Sequence, residues 1–401
     1  MATQDITKAE ELKKLRSRID WFCDNKVNAF SPTISPAPKS AERNEIESIA
    51  EGIRYFADKG ITRLLIQQKY MGSYCDIYLH KALEETYFVS RNGHRIRHID
   101  LEAAQSACRE LHVKFDWEGL SLVIIQSELM PWGVLGQGLI DNEFEGYLDA
   151  HRQHAGFLEQ SQLYAKMKQV KESEPYLAYT RDKASLTDKQ LKDRYPAHIQ
   201  RQYNALDQFA VLDLETYRQG IAIYEEQIGH FGKEQPLHFK PFNVLKKIYD
   251  DGREELPDDN RSYSLVNDDE MLVLDLSEGM VAAETERAYR WFDALSGNKE
   301  EGVVIKPVKA FNEGLPPALK IRNPYYLTMI YGVHFLRDLP QHIRKRNTGR
   351  KLECSIADWA INLELLKVPY REIDKENYHL KNLVFDRIMG EQAEALLDTR
   401  L

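Results

Sequence analysis

The chain has little cysteine, no long apolar run and no excess of positive charge, and each shortage removes a class of protein. Its four cysteines, Cys23, Cys75, Cys108 and Cys354, stand far apart without C-x-x-C spacing. That excludes a disulfide framework or a cysteine-rich zinc site and points to a reducing, cytoplasmic setting. No apolar stretch approaches the about 18 residues that a membrane-spanning helix needs. The N-terminus, Met1-Ala2-Thr3-Gln4-Asp5, lacks the basic-then-apolar pattern of a signal peptide, so no membrane partner is expected. A phosphate loop is missing, since Gly232-Lys233 is followed by Glu234, and no G-x-S-x-G or G-x-G-x-x-G block occurs. His151 and His154 form an H-x-x-H pair on a polar helical stretch, which reads as helix surface in preference to a zinc site. The formal charge of −9, from 54 Lys+Arg against 63 Asp+Glu, argues against a uniformly basic nucleic-acid-binding surface. It leaves open a local basic path.

What is present divides the 401 residues into stretches of different character. Residues 1–57 read as an N-terminal helical extension, with one helix over 6–22 and a second from Ala41 to Lys59 capped by Gly60. Residues 58–142 change to short apolar runs. Strands are predicted over 63–67, 75–79, 86–90 and 120–126, with a helix near 100–112 between the last two. Residues 143–235 are polar and helix-favouring and read as an inserted helical module. Strand patterns return in 236–323, at 272–276, 302–306 and 318–321, with a helix over 278–296. Residues 324–401 read as helices again, with no strand-rich tail. The fold class is therefore α+β, with antiparallel sheets, an inserted helical module and a helical C-terminal module.

A series of short blocks runs through the two sheet-rich stretches. Lys69-Tyr70-Met71-Gly72 ends the run Leu64-Leu65-Ile66. After it come Ser90-Arg91-Asn92-Gly93, Ser127-Glu128-Leu129-Met130-Pro131-Trp132 and Lys240-Pro241-Phe242-Asn243-Val244-Leu245. Glu301-Gly302-Val303-Val304-Ile305-Lys306 and Leu319-Lys320-Ile321-Arg322 close the series. A lone K-x-x-G is a surface lysine before a turn in most proteins; five further blocks in order change that reading. Glu128 is a hydrogen-bonded strand terminus or a ligand for ribose or metal. Two carboxylates beside a polyphosphate make sense with a divalent metal between them. Phe242 taken alone reads as core. Arg344-Lys345-Arg346 reads equally as a solvated helix end or as a weak nucleic-acid contact.

In this order the blocks resemble the covalent nucleotidyltransferase superfamily of DNA ligases, RNA ligases and capping enzymes. With Tyr326-Leu327-Thr328-Met329-Ile330-Tyr331-Gly332 they resemble, over about 58–401, the ligase domain of bacterial polynucleotide kinase–phosphatase RNA-repair enzymes. The resemblance implies a nucleotidyltransferase core in 58–142 and 236–323 and an ATP-dependent RNA ligase working through lysyl-AMP. It implies Lys69 as the adenylated lysine, Gly72 in the nucleotide-binding turn and Arg91 as a ribose contact. Glu128 and Glu301 would be the motif acids at a Mg2+ or Mn2+ ion, and Phe242 would stack on adenine. Lys306, Lys320 and Arg322 would face the phosphates, lowering the proton affinity of the nucleophile together with the metal. Gly72 would leave room for the phosphate. DNA ligases and capping enzymes have an oligonucleotide-binding barrel after the Lys320 block, and no such pattern occurs here. The other alternative is a catalytically weak scaffold. One position departs from the family: Tyr74 stands where arginine is usual. Partners implied are broken RNA (tRNA among the candidates), a separate kinase–phosphatase subunit and an RNA 3′-terminal 2′-O-methyltransferase, in a hetero-oligomer.

Overall fold

The computed structural model describes residues 2–134, 143–209, 213–233, 235–260, 265 and 270–390, with side chains from Glu10 onward. Ten strands form two five-stranded sheets. In chain order they are β1 (Ser35–Pro36), β2 (Arg63–Lys69), β3 (Ser73–His80), β4 (Tyr87–Ser90), β5 (Leu120–Met130), β6 (His238–Tyr249), β7 (Glu254–Glu255), β8 (Met271–Asp275), β9 (Gly302–Pro307) and β10 (Leu319–Arg322). The first sheet has the order β1-β10-β9-β2-β8 and the second β4-β3-β5-β6-β7. All pairings are antiparallel except that of β1 with β10.

Strand alternation gives each sheet two unlike faces. In the first sheet Leu64, Ile66, Val303, Ile305, Leu319 and Ile321 share a buried cluster with Ile49, Ile53 and Phe56 of helix Ile49–Ala57 and with Ala288 of helix Val281–Gly297. The intervening residues Lys69, Lys306, Lys320 and Arg322 therefore project from the other face. In the second sheet Cys75, Ile77, Leu79, Val123 and Ile125 pack against helix Leu101–Ala107 through Ala104. The opposite face carries Tyr74, Asp76 and Tyr78 beside their β5 partners Glu128, Gln126 and Ile124.

The helices bind the ends of the chain to these sheets. Helix Ala2–Asp24 buries Ile19, Phe22 and Cys23 in a cluster with Trp359, Leu365, Leu380 and Val384 of the C-terminal helices and with Leu122 and Ile124 of β5. Six helices span 145–231 between β5 and β6. The first and last of them, Glu145–Ser161 and Leu214–Phe231, share one apolar cluster with Tyr326, Leu327, Val333 and Phe335. Residues of the inserted and C-terminal stretches thus build a common core.

Among the differences from the sequence reading, three stand out. The second helix spans Ile49–Ala57, because Ser40 and Glu45 form a short bridge ahead of it and Ser48 caps it, accepting from the Glu51 amide at 3.4 Å. Strand β5 runs on to Met130, so Glu128 sits inside the strand. Strand β6, twelve residues long, has no counterpart among the predicted strands.

Candidate active site

Lys69 is the last residue of β2 and stands opposite Gly302 at the start of β9. This register puts its Nζ 2.8 Å from Oε1 of Glu301, the residue just before that strand. Gly302 has φ +148, and a Cβ there would lie 2.2 Å from the Ile321 carbonyl oxygen. Only glycine lets β9 approach β10 so closely. Tyr326, at the start of the helix after β10, donates its hydroxyl hydrogen bond to Glu301. The Glu301 carboxylate is buried and held from two sides.

Glu128 reaches the same place from the second sheet and accepts from the Gly72 amide. Burial pushes its carboxyl up to about 7, with Glu301 adding to the rise and Lys69 and Arg91 opposing it. Local packing alone requires glycine at 72. A Cβ at 72 would lie 2.5 Å from Glu128 Cγ and 2.7 Å from the Leu129 carbonyl oxygen. Absence of a side chain is what lets the turn after Lys69 sit against β5.

Lys306, Lys320 and Arg322 project from the same face of the first sheet as Lys69. Burial pushes the Lys306 ammonium down to about 7. Lys320 is held well below the usual lysine range by burial, then by Arg322 and Lys69. Phe242 on β6 lies with its ring centroid 5.7 Å from Lys306 Nζ and 6.3 Å from the Tyr74 ring. Arg91 is exposed in the turn after β4. The two neighbouring arginines are engaged elsewhere: Arg95 lies 3.5 Å from the Tyr87 ring centroid, and Arg97 donates to Asn25 at 2.8 Å.

Tyr74 supplies no charge in place of the family arginine. Its hydroxyl donates to Asp76 Oδ1 at 2.7 Å and accepts from Gln126 Nε2 at 3.0 Å, and Gln126 accepts in turn from Asn243 at 3.2 Å. The position has become part of a buried polar network under Phe242.

The basic run splits. Arg344 and Lys345 are exposed at the end of helix Phe335–Lys345. Arg346 turns inward and donates to Glu47 Oε1 at 2.6 Å and to the Tyr331 hydroxyl at 2.9 Å. The H-x-x-H histidines also have internal partners: Nδ1 of His151 and of His154 lie 2.6 and 3.1 Å from the Tyr217 hydroxyl.

Among the described residues no group of three or more His, Cys, Asp or Glu side chains is placed to hold a metal ion. The pair Glu128 and Glu301 still fits a hard divalent cation. Two oxygen ligands from protein, completed by phosphate oxygens and water, is the usual way Mg2+ is bound beside a nucleotide. Sequence reasoning missed Glu47, Tyr326 and the Asp76 network. Only Tyr326 carried a signal, its place in the block after Arg322.

The family model described as PNKP adenylyltransferase domain, ligase domain, matches residues 23–386. It therefore takes in much of the 1–57 stretch, for which the sequence resemblance offered no counterpart. A chain in a solved structure of a Pnkp1/Rnl/Hen1 complex is 52% identical, with TM-score 0.89, covering 98% of this chain and 100% of that one. A chain in a second structure, of the Pnkp1/Rnl/Hen1 RNA repair complex, is also 52% identical, with TM-score 0.90 and coverage of 97% and 99%. No curated protein matches.

Proposed function

Because the chain belongs to the family of PNKP adenylyltransferase ligase domains, we propose that it is an ATP-dependent RNA ligase that seals 5′-phosphate and 3′-hydroxyl RNA ends through a lysyl-AMP intermediate. The observation that carries this is the Lys69 amine, 2.8 Å from a buried Glu301, close to Glu128 and on the sheet face that also carries Lys320 and, 5.7 Å from the Phe242 ring centroid, Lys306. Lys69 loses a proton and its Nζ attacks the α-phosphorus. A P–N bond forms, the bond from the α-phosphorus to the bridging oxygen breaks, and pyrophosphate leaves. AMP then passes to the RNA 5′-phosphate, and the 3′-hydroxyl displaces it. Lys306 and Lys320 are positioned to offset phosphate charge, and Phe242 offers an aromatic face to the base. A divalent cation held by Glu128 and Glu301 would neutralise phosphate charge and help align the attack.

The two relatives come from Pnkp1/Rnl/Hen1 complexes, which supports a working hetero-complex with a kinase–phosphatase and a 3′-terminal 2′-O-methyltransferase, acting on cleaved RNA such as tRNA in the cytoplasm. Among the described residues no helix is long and apolar enough to cross a membrane. Incubation with α-labelled ATP and Mg2+ or Mn2+, followed by denaturing electrophoresis, tests the reading. Label should bind the wild-type chain acid-labile and alkali-stable, and Lys69→Ala should take none. Label persisting on that variant would remove Lys69 from the role.

A further inference from the structure

A single buried carboxylate in the N-terminal segment ties together three parts of the molecule that sequence order keeps apart. The Glu47 side chain has 0% exposure. Its Oε2 accepts from the Arg322 backbone amide at 2.9 Å and from Arg322 Nε at 3.2 Å, while Oε1 accepts from Arg322 Nη2 at 2.6 Å. The same Oε1 accepts from Arg346 Nη2 at 2.6 Å. One carboxylate therefore fixes both the main chain and the guanidinium at the end of β10, and it also holds the C-terminal end of helix Phe335–Lys345. Burial alone would raise the Glu47 pKa, but Arg322, Arg346 and Lys320 more than offset this and hold it below the usual range. It is ionised at neutral pH.

The Arg322 edge facing Glu47 is consumed by this bidentate pair and is not free to grip a phosphate. Its backbone amide, held by the same carboxylate, sets the end of the strand whose Lys320 projects from the same face. We infer that Glu47 is a positioning residue for adenylation: it presets the Lys320–Arg322 end of β10 together with Arg346. This rests on the adenylating reading above. Truncating a buried ion pair at one partner leaves the other charge uncompensated, so removal of the Glu47 charge should release both guanidiniums from their fixed geometry. The local charge then becomes more positive by one, which favours binding of a polyphosphate while spoiling its alignment. A loss of rate without a loss of ATP affinity is the signature. A merely structural defect would weaken both.

The test uses the full chain and single-turnover transfer from α-labelled ATP across an ATP titration, with circular dichroism and melting as controls on folding. Glu47→Gln should fold and keep half-saturating ATP within twofold of wild type or lower it. The saturating rate should fall at least tenfold. The double variant Glu47→Gln/Arg322→Gln should be faster than the product of the two single effects predicts, because part of the Glu47 effect passes through that guanidinium. A Glu47→Gln rate within threefold of wild type overturns the inference, as does a parallel rise in half-saturating ATP or multiplication of the two single effects. If Glu47→Gln does not fold, Glu47→Asp keeps the charge but shortens its reach. A tenfold slower rate at unchanged half-saturation then supports the inference, and a wild-type rate overturns it. If the wild-type chain takes no label, the adenylating reading itself fails and this inference falls with it.

Discussion

Asp76 offers a test of the buried electrostatics beneath the site that needs no assumption about the reaction. It is fully buried, its Oδ1 accepts from Tyr74 at 2.7 Å, and its Oδ2 has no hydrogen-bond partner. Burial pushes its pKa from 3.8 to about 7, with the Tyr74 hydroxyl opposing the rise. An acid whose folded pKa lies above its unfolded value contributes stability that is fully present below the unfolded pKa. That contribution is lost as pH rises through the folded one. For Asp76 the loss runs between about pH 4 and pH 7. At about 1.4 kcal/mol per unit, the ceiling is on the order of 4 kcal/mol. Local relaxation in a medium of intermediate effective dielectric reduces this to roughly 1–3 kcal/mol.

Asp76→Asn keeps an oxygen for Tyr74 and removes the titration. Its new amide donors carry a cost of their own, about 1–3 kcal/mol if unpaired, but that cost does not change with pH. The informative quantity is therefore the difference between the two melting curves as pH changes. An unfolding entropy of about 2.1 cal/mol/K per residue over 401 residues converts the expected 1–3 kcal/mol into a shift of about 1–4 °C. Scanning fluorimetry at constant ionic strength from pH 4 to 8.5 should show the Asn variant gaining on wild type by that amount between about pH 4 and pH 7 and levelling off above it. Groups common to both proteins cancel in the difference. Parallel curves across the range would mean that Asp76 ionises normally and that the burial argument is wrong.

Phe242→Leu keeps much of the apolar volume but loses the ring face, so ATP binding measured by titration should weaken by about 0.5–1.5 kcal/mol; equal labelling of the wild type by GTP would contradict an adenine-stacking role. Gly72→Ala forces a Cβ to within 2.5 Å of Glu128 Cγ, and overpacking of this kind costs about 1–3 kcal/mol. A lowered denaturation midpoint and slower self-labelling are expected, and an unchanged midpoint would refute the steric argument. For the complex, the isolated chain should label itself but join cleaved tRNA slowly, with sealing restored by a kinase–phosphatase and a methyltransferase partner. Efficient multiple-turnover joining by the chain alone, with no gain from partners, would sink that proposal.

The parts of the site written in local strand patterns are legible in the amino-acid sequence. Lys69, Glu301, Gly302, Lys306 and Lys320 sit at the ends or on one alternating face of short apolar strands, and the period of two carries them to one side. Strand β6 is hidden because Lys240, Pro241, Lys246 and Lys247 break its apolar pattern. Pro241 is accommodated where β5 and β6 shift register between Gln126 and Ser127, as expected of proline in a ladder. Lys246 is buried but donates to the carbonyls of Leu366 and Val368 at 2.5 and 2.9 Å. Its charge is paired with Glu254 of β7, and its remaining donors go to a helix end that no local window contains. Glu47 is illegible for the same reason: its partner Arg322 lies 275 positions away. Two residues earlier, the chemically identical Glu45 accepts from the Tyr289 hydroxyl at 2.8 Å. Nothing in the sequence near these two acids separates their fates.

The acidic formal charge loses its force once the basic groups are located. The count of −9 weighs every lysine and arginine alike, whereas charge at the site depends on which of them the fold keeps out of water. Burial holds Lys306 at about 7 and Lys320 well below the usual lysine range. Burial disfavours the charged form of both amines, and Arg322 and Lys69 add to this at Lys320. An anion entering the site would reverse that balance, because each new negative charge raises the proton affinity of the lysines facing it. The basic character of this site thus develops with the ligand. A surface-wide excess of lysine and arginine is not needed for that.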